Sequence, residues 1–289
     1  MSIIEIKKLK KSYGKKLALD IPSLNVEHGA SIGIFGANGS GKSTLIKCIT
    51  GLLPYEGQIF IDGNDIRKQP SILADVGILI EEPALYKDMT GRKNIMYFCS
   101  DTTAIHEYAE LLGITDILDK KVKSYSLGMR QKLAILLACV KGKKLILLDE
   151  PFNGLDIISV EKAIELLNLC RQRGASILLT SHQLEISQKA IDMYYLLKNT
   201  QIYDCTAPKP FGGLKYLVEF FDIDSVKSAY SLLSENDIIC SLSDYALKIQ
   251  SDGQSVSDIA QILKDFNVKK IEDISYSVKE AYLQMEIKE

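Results

Sequence analysis

Gly36-Ala37-Asn38-Gly39-Ser40-Gly41-Lys42-Ser43-Thr44 directly follows an apolar run, Ser31-Ile32-Gly33-Ile34-Phe35, and leads into Leu45-Ile46-Lys47. A buried strand, a glycine-rich turn and a helix in that order form a cradle for phosphate. Gly36, Gly39 and Gly41 let the backbone turn tightly and aim successive N–H groups at phosphate oxygens, where side chains would obstruct the approach. Asn38 and Ser40 complete the loop between them. Lys42 can reach the β and γ phosphates as a point charge, and the Ser43 hydroxyl suits Mg²⁺. With Thr44 the chain enters a helix whose positive N-terminal end faces the same anion. The stretch therefore predicts a nucleotide-binding α/β core that uses Mg²⁺. On its own it leaves GTPases, kinases and ATPases open.

The surroundings narrow the class. A chain of 289 residues, 46% hydrophobic and 25% charged, is long enough for one large or two modest globular domains. Its longest apolar stretches, such as 133–140 and 145–148, fall well short of the roughly 20 residues that a membrane-spanning helix needs. The start, Met1-Ser2-Ile3-Ile4-Glu5-Ile6-Lys7, has neither a long apolar core nor a small-residue cleavage site, so a cytoplasmic location is expected. Six cysteines (Cys48, Cys99, Cys139, Cys170, Cys205, Cys240) stand singly among apolar neighbours without Cys-x-x-Cys spacing. They read as reduced core residues rather than metal ligands or disulfides. The net charge of −2 divides unevenly: residues 1–205 hold 26 Lys+Arg against 23 Asp+Glu, and 206–289 hold 9 against 14, giving +3 and −5. Neither part carries an Arg-rich stripe or interleaved aromatic and basic residues, so no nucleic-acid partner is expected.

Along the chain, short β-like runs at 3–9, 18–24, 31–35 and 58–61 are separated by turn signals at 12–14, 28–29 and 62–64. They predict an antiparallel sheet beside the nucleotide core. Apolar strands at 145–148 and 176–180, joined by an amphipathic helix at 160–171, predict the parallel α/β part. Between 90 and 140 the pattern turns helical, with candidate helices at 94–98, 105–112 and 131–140, so a helical subdomain is expected over about 83–142. Two prolines and two glycines in 206–213 mark a linker. Beyond it, 214–289 reads as strand 214–220, helix 223–234, two strands around 238–249, helix 256–266, strand 269–273 and a last helix at 278–285. That β-α-β-β-α-β order predicts a small C-terminal α+β domain of ferredoxin-like type.

Downstream residues narrow the chemistry. Lys144-Leu145-Ile146-Leu147-Leu148-Asp149-Glu150 ends a buried strand on two carboxylates. The first suits Mg²⁺ and its waters, and the second suits orienting and deprotonating an attacking water. Pro151-Phe152-Asn153-Gly154-Leu155-Asp156 then forms a turn, and Thr180-Ser181-His182 closes the next strand, pointing the imidazole into the crevice at the strands' carboxyl ends.

Together these residues resemble the ATP-binding cassette (ABC) ATPases, over residues 1 to about 205. The resemblance implies that Tyr125-Ser126-Leu127-Gly128-Met129-Arg130-Gln131 stands for the family's Leu-Ser-Gly-Gly-Gln peptide. Ser126 and Gly128 would contact the γ-phosphate of ATP held by an opposing subunit, while Leu127 replaces the first glycine. Tyr13 would stack on adenine, and Glu81 takes the place of a glutamine that touches Mg²⁺. Ile80-Glu81-Glu82-Pro83-Ala84-Leu85-Tyr86, with the signature peptide, looks like the subgroup of bacitracin resistance and lantibiotic self-immunity. The resemblance implies an ATPase with Lys42, Glu150 and His182 as its catalytic residues, working as a homodimer on a separate transmembrane permease at the inner face of the cell membrane. Export of an antimicrobial peptide or drug is the expected task. The alternative is a soluble cassette acting in translation or DNA maintenance.

Overall fold

The hydrophobic patterns resolve into the following elements in a computed structural model that describes residues 2–81, 84–99, 101–182, 184–204, 214–235, 238–243, 245–251 and 256–273. The linker at 206–213, Cys205, the helix expected at 278–285, and Glu82 and Pro83 of the quoted loop lie outside the described residues. The chain divides into two compact units, Met1–Thr206 and Ala207–Glu289.

The first unit opens with β1 (Ser2–Tyr13) and β2 (Lys16–Glu27), followed by β3 (Ser31–Phe35) and α1 (Lys42–Ile49). Then come β4 (Glu56–Ile61), β5 (Asn64–Asp65) and β6 (Val76–Leu79). The helices α2 (Gly91–Met96), α3 (Thr102–Leu111) and α4 (Leu127–Lys141) precede β7 (Leu145–Asp149). The unit closes with α5 (Ile157–Gln172), β8 (Ser176–Ser181), α6 (Leu184–Ser187), β9 (Met193–Lys198) and β10 (Gln201–Asp204).

Two sheets result. One is antiparallel, in the order β2-β1-β4-β5; the other has six strands in the order β10-β9-β3-β8-β7-β6, parallel except for β10 on β9. Every residue of β3, β7 and β8 is buried, as expected of strands covered on both faces. Alternate residues of the antiparallel sheet, Ile4, Ile6, Leu19 and Ile21, pack in one core with Leu45, Ile46 and Ile49 of α1 and with Ile32, Ile34, Leu145 and Leu147. That core fixes the phosphate loop between the sheets. β8 lies between β3 and β7, with Phe35 opposite Ser181 and Asp149 opposite Thr180. The loop after β3, the carboxylates after β7 and the histidine after β8 therefore emerge along one edge.

Several boundaries differ from the sequence expectation. The turn expected at 12–14 starts later, because β1 stays paired as far as Tyr13 opposite Lys16 and only Gly14, at φ +58, leaves the strand. α4 and α5 begin at Leu127 and Ile157 rather than at 131 and 160, because Ser126 and Asp156 cap them. β6, β9 and β10 were not anticipated as strands.

The second unit contains β11 (Leu214–Phe220), α7 (Ile223–Glu235), β12 (Ile239–Ser243), β13 (Ala246–Ser251), α8 (Val256–Ile262) and β14 (Val268–Asp273). Its sheet is antiparallel throughout, in the order β12-β13-β11-β14. Val226, Ala229 and Leu233, spaced to share one face of α7, pack with Tyr216, Val218, Phe220, Leu247, Ile249, Ile259 and Leu263 in a separate core. Among the described residues of either unit, no helix is long and apolar enough to cross a membrane.

Candidate functional site

Buried β3 holds the chain rigid up to Phe35, and the loop then turns where a side chain could not fit. A Cβ on Gly36 would lie 2.5 Å from the Leu197 carbonyl oxygen and 2.6 Å from the Ser40 hydroxyl. Gly41 takes φ +111, and a Cβ there would stand 3.1 Å from the Ala18 carbonyl oxygen. α1 starts at the next residue. Lys42, 6% exposed, folds back over the loop: its Nζ donates to the carbonyls of Gly36 (2.8 Å) and Ala37 (3.2 Å) and stands 3.5 Å from Glu150 Oε1. Ser40 Oγ is buried and has no hydrogen-bond partner among the described residues, which suits a loop shaped for a polar ligand.

At the end of β7, Asp149 is 2% exposed and accepts a hydrogen bond of 2.5 Å from the Thr180 hydroxyl. Glu150 turns out of the strand at φ +48, a left-handed conformation that costs energy for a residue with a side chain and is found mostly at functional sites. Its own N–H donates to the Thr180 carbonyl and to the Thr180 hydroxyl, both at 3.2 Å. Glu150 Oε2 stands 2.9 Å from His182 Nδ1 and accepts the His182 backbone N–H at 3.3 Å. The Glu150 carboxylate thus lies between an ammonium and an imidazole, within reach of both. A carboxylate held this way can accept a proton from water.

Three further pieces surround this group. Tyr13, half exposed at the end of β1, has its hydroxyl 3.5 Å from Thr44 Oγ1, and Lys11 Nζ lies 5.0 Å from the ring centroid. Glu81 follows β6 at φ +54 and forms an ion pair with Lys47 of α1. The hydrogen bond to Glu81 holds the Lys47 ammonium above its ordinary range; burial opposes this, and the charges of Glu81, Tyr13 and Asp149 reinforce it. Ser126 caps α4, accepting the Met129 N–H at 3.2 Å. A Cβ on Gly128 would be 3.1 Å from the Gly154 carbonyl oxygen, and Gln131 Nε2 donates to the Pro151 carbonyl at 2.8 Å. The start of α4 therefore rests on the turn 151–156, whose last residue, Asp156, caps α5 by accepting the Ser159 N–H at 2.7 Å.

The structure thus brings Lys42, Asp149, Glu150 and His182 together, links Tyr13 to Thr44, sets Gly128 against the turn 151–156 and engages Ser126 as the cap of α4. Sequence reasoning missed Thr180, whose hydroxyl serves both carboxylate residues, and Lys47. It also missed Asn94, 1% exposed, which accepts the Tyr86 N–H (2.8 Å) and donates to the carbonyls of Tyr86 (3.1 Å) and Thr90 (2.9 Å). A polar residue at the end of an apolar strand could have flagged Thr180; no motif announces the Lys47 contact, 34 positions along the chain, or the Asn94 contacts with the loop just before it. Ser43, Asp149 and Glu81 are hard oxygen donors. Among the described residues no group of three or more His, Cys, Asp or Glu could hold a metal. That donor set fits Mg²⁺, which takes few protein ligands and completes its shell with phosphate and water.

The ABC transporter family model matches residues 19–153, and an AAA-domain model matches 120–187. The chain is 32% identical over 226 residues to the lantibiotic transport ATP-binding protein SrtF of Streptococcus pyogenes, covering 76% of this chain and 96% of that protein. It is 35% identical over 222 residues to the bacitracin transport ATP-binding protein BcrA of Bacillus licheniformis, covering 74% of this chain and 72% of that one. In fold it is similar to the ATP-binding subunit of an ABC transporter, with a TM-score of 0.65 over 91% of this chain and 100% of that chain at 23% identity. Loop, paired carboxylates, histidine and signature peptide occur here in one fold with this kinship, and the chain therefore belongs to the ABC transporter family, as one of its ATP-binding ATPases.

Proposed function

We propose that this chain powers a separate membrane permease that exports an antimicrobial peptide or drug, and that two copies work head to tail. The observation that carries the reading is the convergence of Lys42, Glu150 and His182, at separations of 3.5 Å and 2.9 Å, on the carboxyl edge of three adjacent strands. In this reading the N–H groups of Gly36, Asn38, Gly39, Ser40 and Gly41 and the Lys42 ammonium bind the phosphates of ATP. Tyr13 stacks on adenine, while Ser126 and Gly128 of one copy contact the γ-phosphate bound by the other. Glu150 orients the attacking water and takes its proton on the carboxylate, and His182 stabilises the charge that grows on the γ-phosphoryl oxygens. Ser43, Asp149 and Glu81 would hold Mg²⁺, which supplies charge neutralisation of the phosphates. Thr180 keeps the Asp149 carboxylate oriented through their 2.5 Å hydrogen bond.

The homodimer is supported by the presence of Lys42, Ser126, Glu150 and His182 in one chain, which gives two competent sites. Exposed Leu127, Ile157 and Ile158, adjoining or following the turn 151–156, offer apolar surface for a second copy. Exposed Tyr86, Tyr97 and Phe98, in successive T-shaped pairs with ring centroids 5.8 Å and 5.0 Å apart, do the same for a permease near residues 81–86. Residues 1–205 form the ATPase domain, including the helical subdomain of about 83–142; 206–213 form the linker, and 214–289 an accessory domain of ferredoxin-like type. The antiparallel order β12-β13-β11-β14 supports that last assignment. The chain is cytoplasmic and peripheral on the inner face of the membrane. No observation favours a soluble cassette of translation or DNA maintenance, and no nucleic-acid partner is assigned.

The test is affinity purification of the tagged chain from detergent-solubilised native membranes, followed by expression of the chain and its copurifying protein in a sensitive host. Recovery of a polytopic membrane protein, with resistance to bacitracin or a lantibiotic that Lys42→Ala abolishes, is expected. Recovery of ribosomal or other soluble proteins alone would reject the permease; resistance unchanged by Lys42→Ala would reject ATP-driven export.

A further inference from the structure

Glu81 reaches the site by a short route. Leu79 of β6 pairs with Leu148 of β7, so Glu81, two residues further on, leaves the sheet beside Asp149 and Glu150. Its carboxylate is already engaged there, in the ion pair with Lys47. Lys47 lies four residues beyond Ser43 on α1, so the two side chains share one helix face. The same ammonium interacts electrostatically with Asp149 and Tyr13. Lys47 thus sets a positive charge on Glu81, one of the three oxygen donors assigned above to Mg²⁺, on the helix face that carries the second, Ser43, and within electrostatic reach of the third, Asp149. An ammonium and a divalent ion that draw on one carboxylate compete for it.

We propose that Lys47 is a positioning residue that withholds Glu81 from the metal: it neutralises the Glu81 carboxylate in the nucleotide-free chain and yields it when Mg²⁺ enters with ATP. The device depends on the carboxylate, because a glutamine at this position forms no ion pair and has no charge to compete for. The inference rests on the Mg²⁺-ATP reading of the site.

Binding of a fluorescent, non-hydrolysable ATP analogue to the full chain is followed as Mg²⁺ is titrated, so the readout is binding rather than turnover. Lys47→Met is expected to lower the Mg²⁺ concentration at half-saturation about two- to fivefold, the range that a partly exposed ion pair supports. Lys47→Arg, which keeps the pair, should leave the midpoint near that of the unaltered chain. In a Glu81→Gln background Lys47→Met should have no effect on the midpoint. An unchanged midpoint in Lys47→Met, or an equal shift with and without the Glu81 carboxylate, overturns the latch while leaving nucleotide binding intact. Failure of the analogue to bind at any Mg²⁺ concentration overturns the site assignment and the latch with it.

Discussion

Glu150 holds an unfavourable backbone conformation, φ +48, and the Thr180 hydrogen bonds to its N–H keep it there. Those contacts turn the side chain out of β7 and towards Lys42 and His182. Glu150→Gln preserves side-chain shape and removes the basicity. Single-turnover hydrolysis is therefore expected to fall by about 10²–10⁴, the usual contribution of a positioned general base, while binding of ATP persists. Rapid-quench measurement of the γ-phosphate released in one turnover checks this; a rate within twofold of the unaltered chain would remove Glu150 from the role of base. A loss confined to hydrolysis would separate the chemistry proposed for Glu150 and His182 from the binding proposed for Lys42 and the loop.

The element scale shows where close packing leaves no slack. A Cβ on Gly77 of β6 would lie 2.0 Å from the Ala138 carbonyl oxygen of α4, a backbone atom that cannot move aside without shifting the helix. Gly77→Ala is expected to cost about 3 kcal/mol, at the upper end for overpacking. That corresponds to a midpoint lower by on the order of 5–10 °C for a unit of this size, read by thermal unfolding; a change under 1 °C would mean that α4 can shift away from β6 at little cost. The same pair illustrates what the sequence could and could not convey. β3, β7 and β8 are legible because strands buried on both faces are unbroken apolar runs. β6 is four residues long and contains a glycine, and β9 acquires its meaning only by pairing with β3, more than 150 residues earlier in the chain. The first turns of α4 and α5 expose Leu127, Ile157 and Ile158, so their apolar periodicity starts a turn late, and only Ser126 and Asp156 as caps mark the true starts. At the site, the residues with local motifs were legible; Thr180 and Lys47, which act on partners 30 to 34 positions away, and Asn94, which binds residues 4 to 8 positions before it, were visible only once folded.

For the whole molecule the decisive feature is two separate cores. Ile4, Ile34, Leu45 and Leu147 belong to one, and Tyr216, Val226, Leu247 and Ile259 to the other. A unit with its own core can unfold as its own cooperative step. Every residue assigned to the nucleotide, from Tyr13 to His182, lies in the first unit, Met1–Thr206. A ligand that binds only the folded form stabilises by RT ln(1 + [L]/Kd), about 2.7 kcal/mol at a hundredfold excess over Kd. That stabilisation should appear in the first unit alone. Calorimetry of the full chain is expected to give two transitions, and a non-hydrolysable ATP analogue with Mg²⁺ should raise one of them by on the order of 5–10 °C and leave the other in place. If a single transition moved as a whole with nucleotide, the two units would be one cooperative block, and binding at Lys42 would be felt as far as α7 and β14. The separate cores argue for the first outcome, because the residues assigned to the nucleotide, around α1, β7 and β8, lie on the first core, which shares no residue with the second.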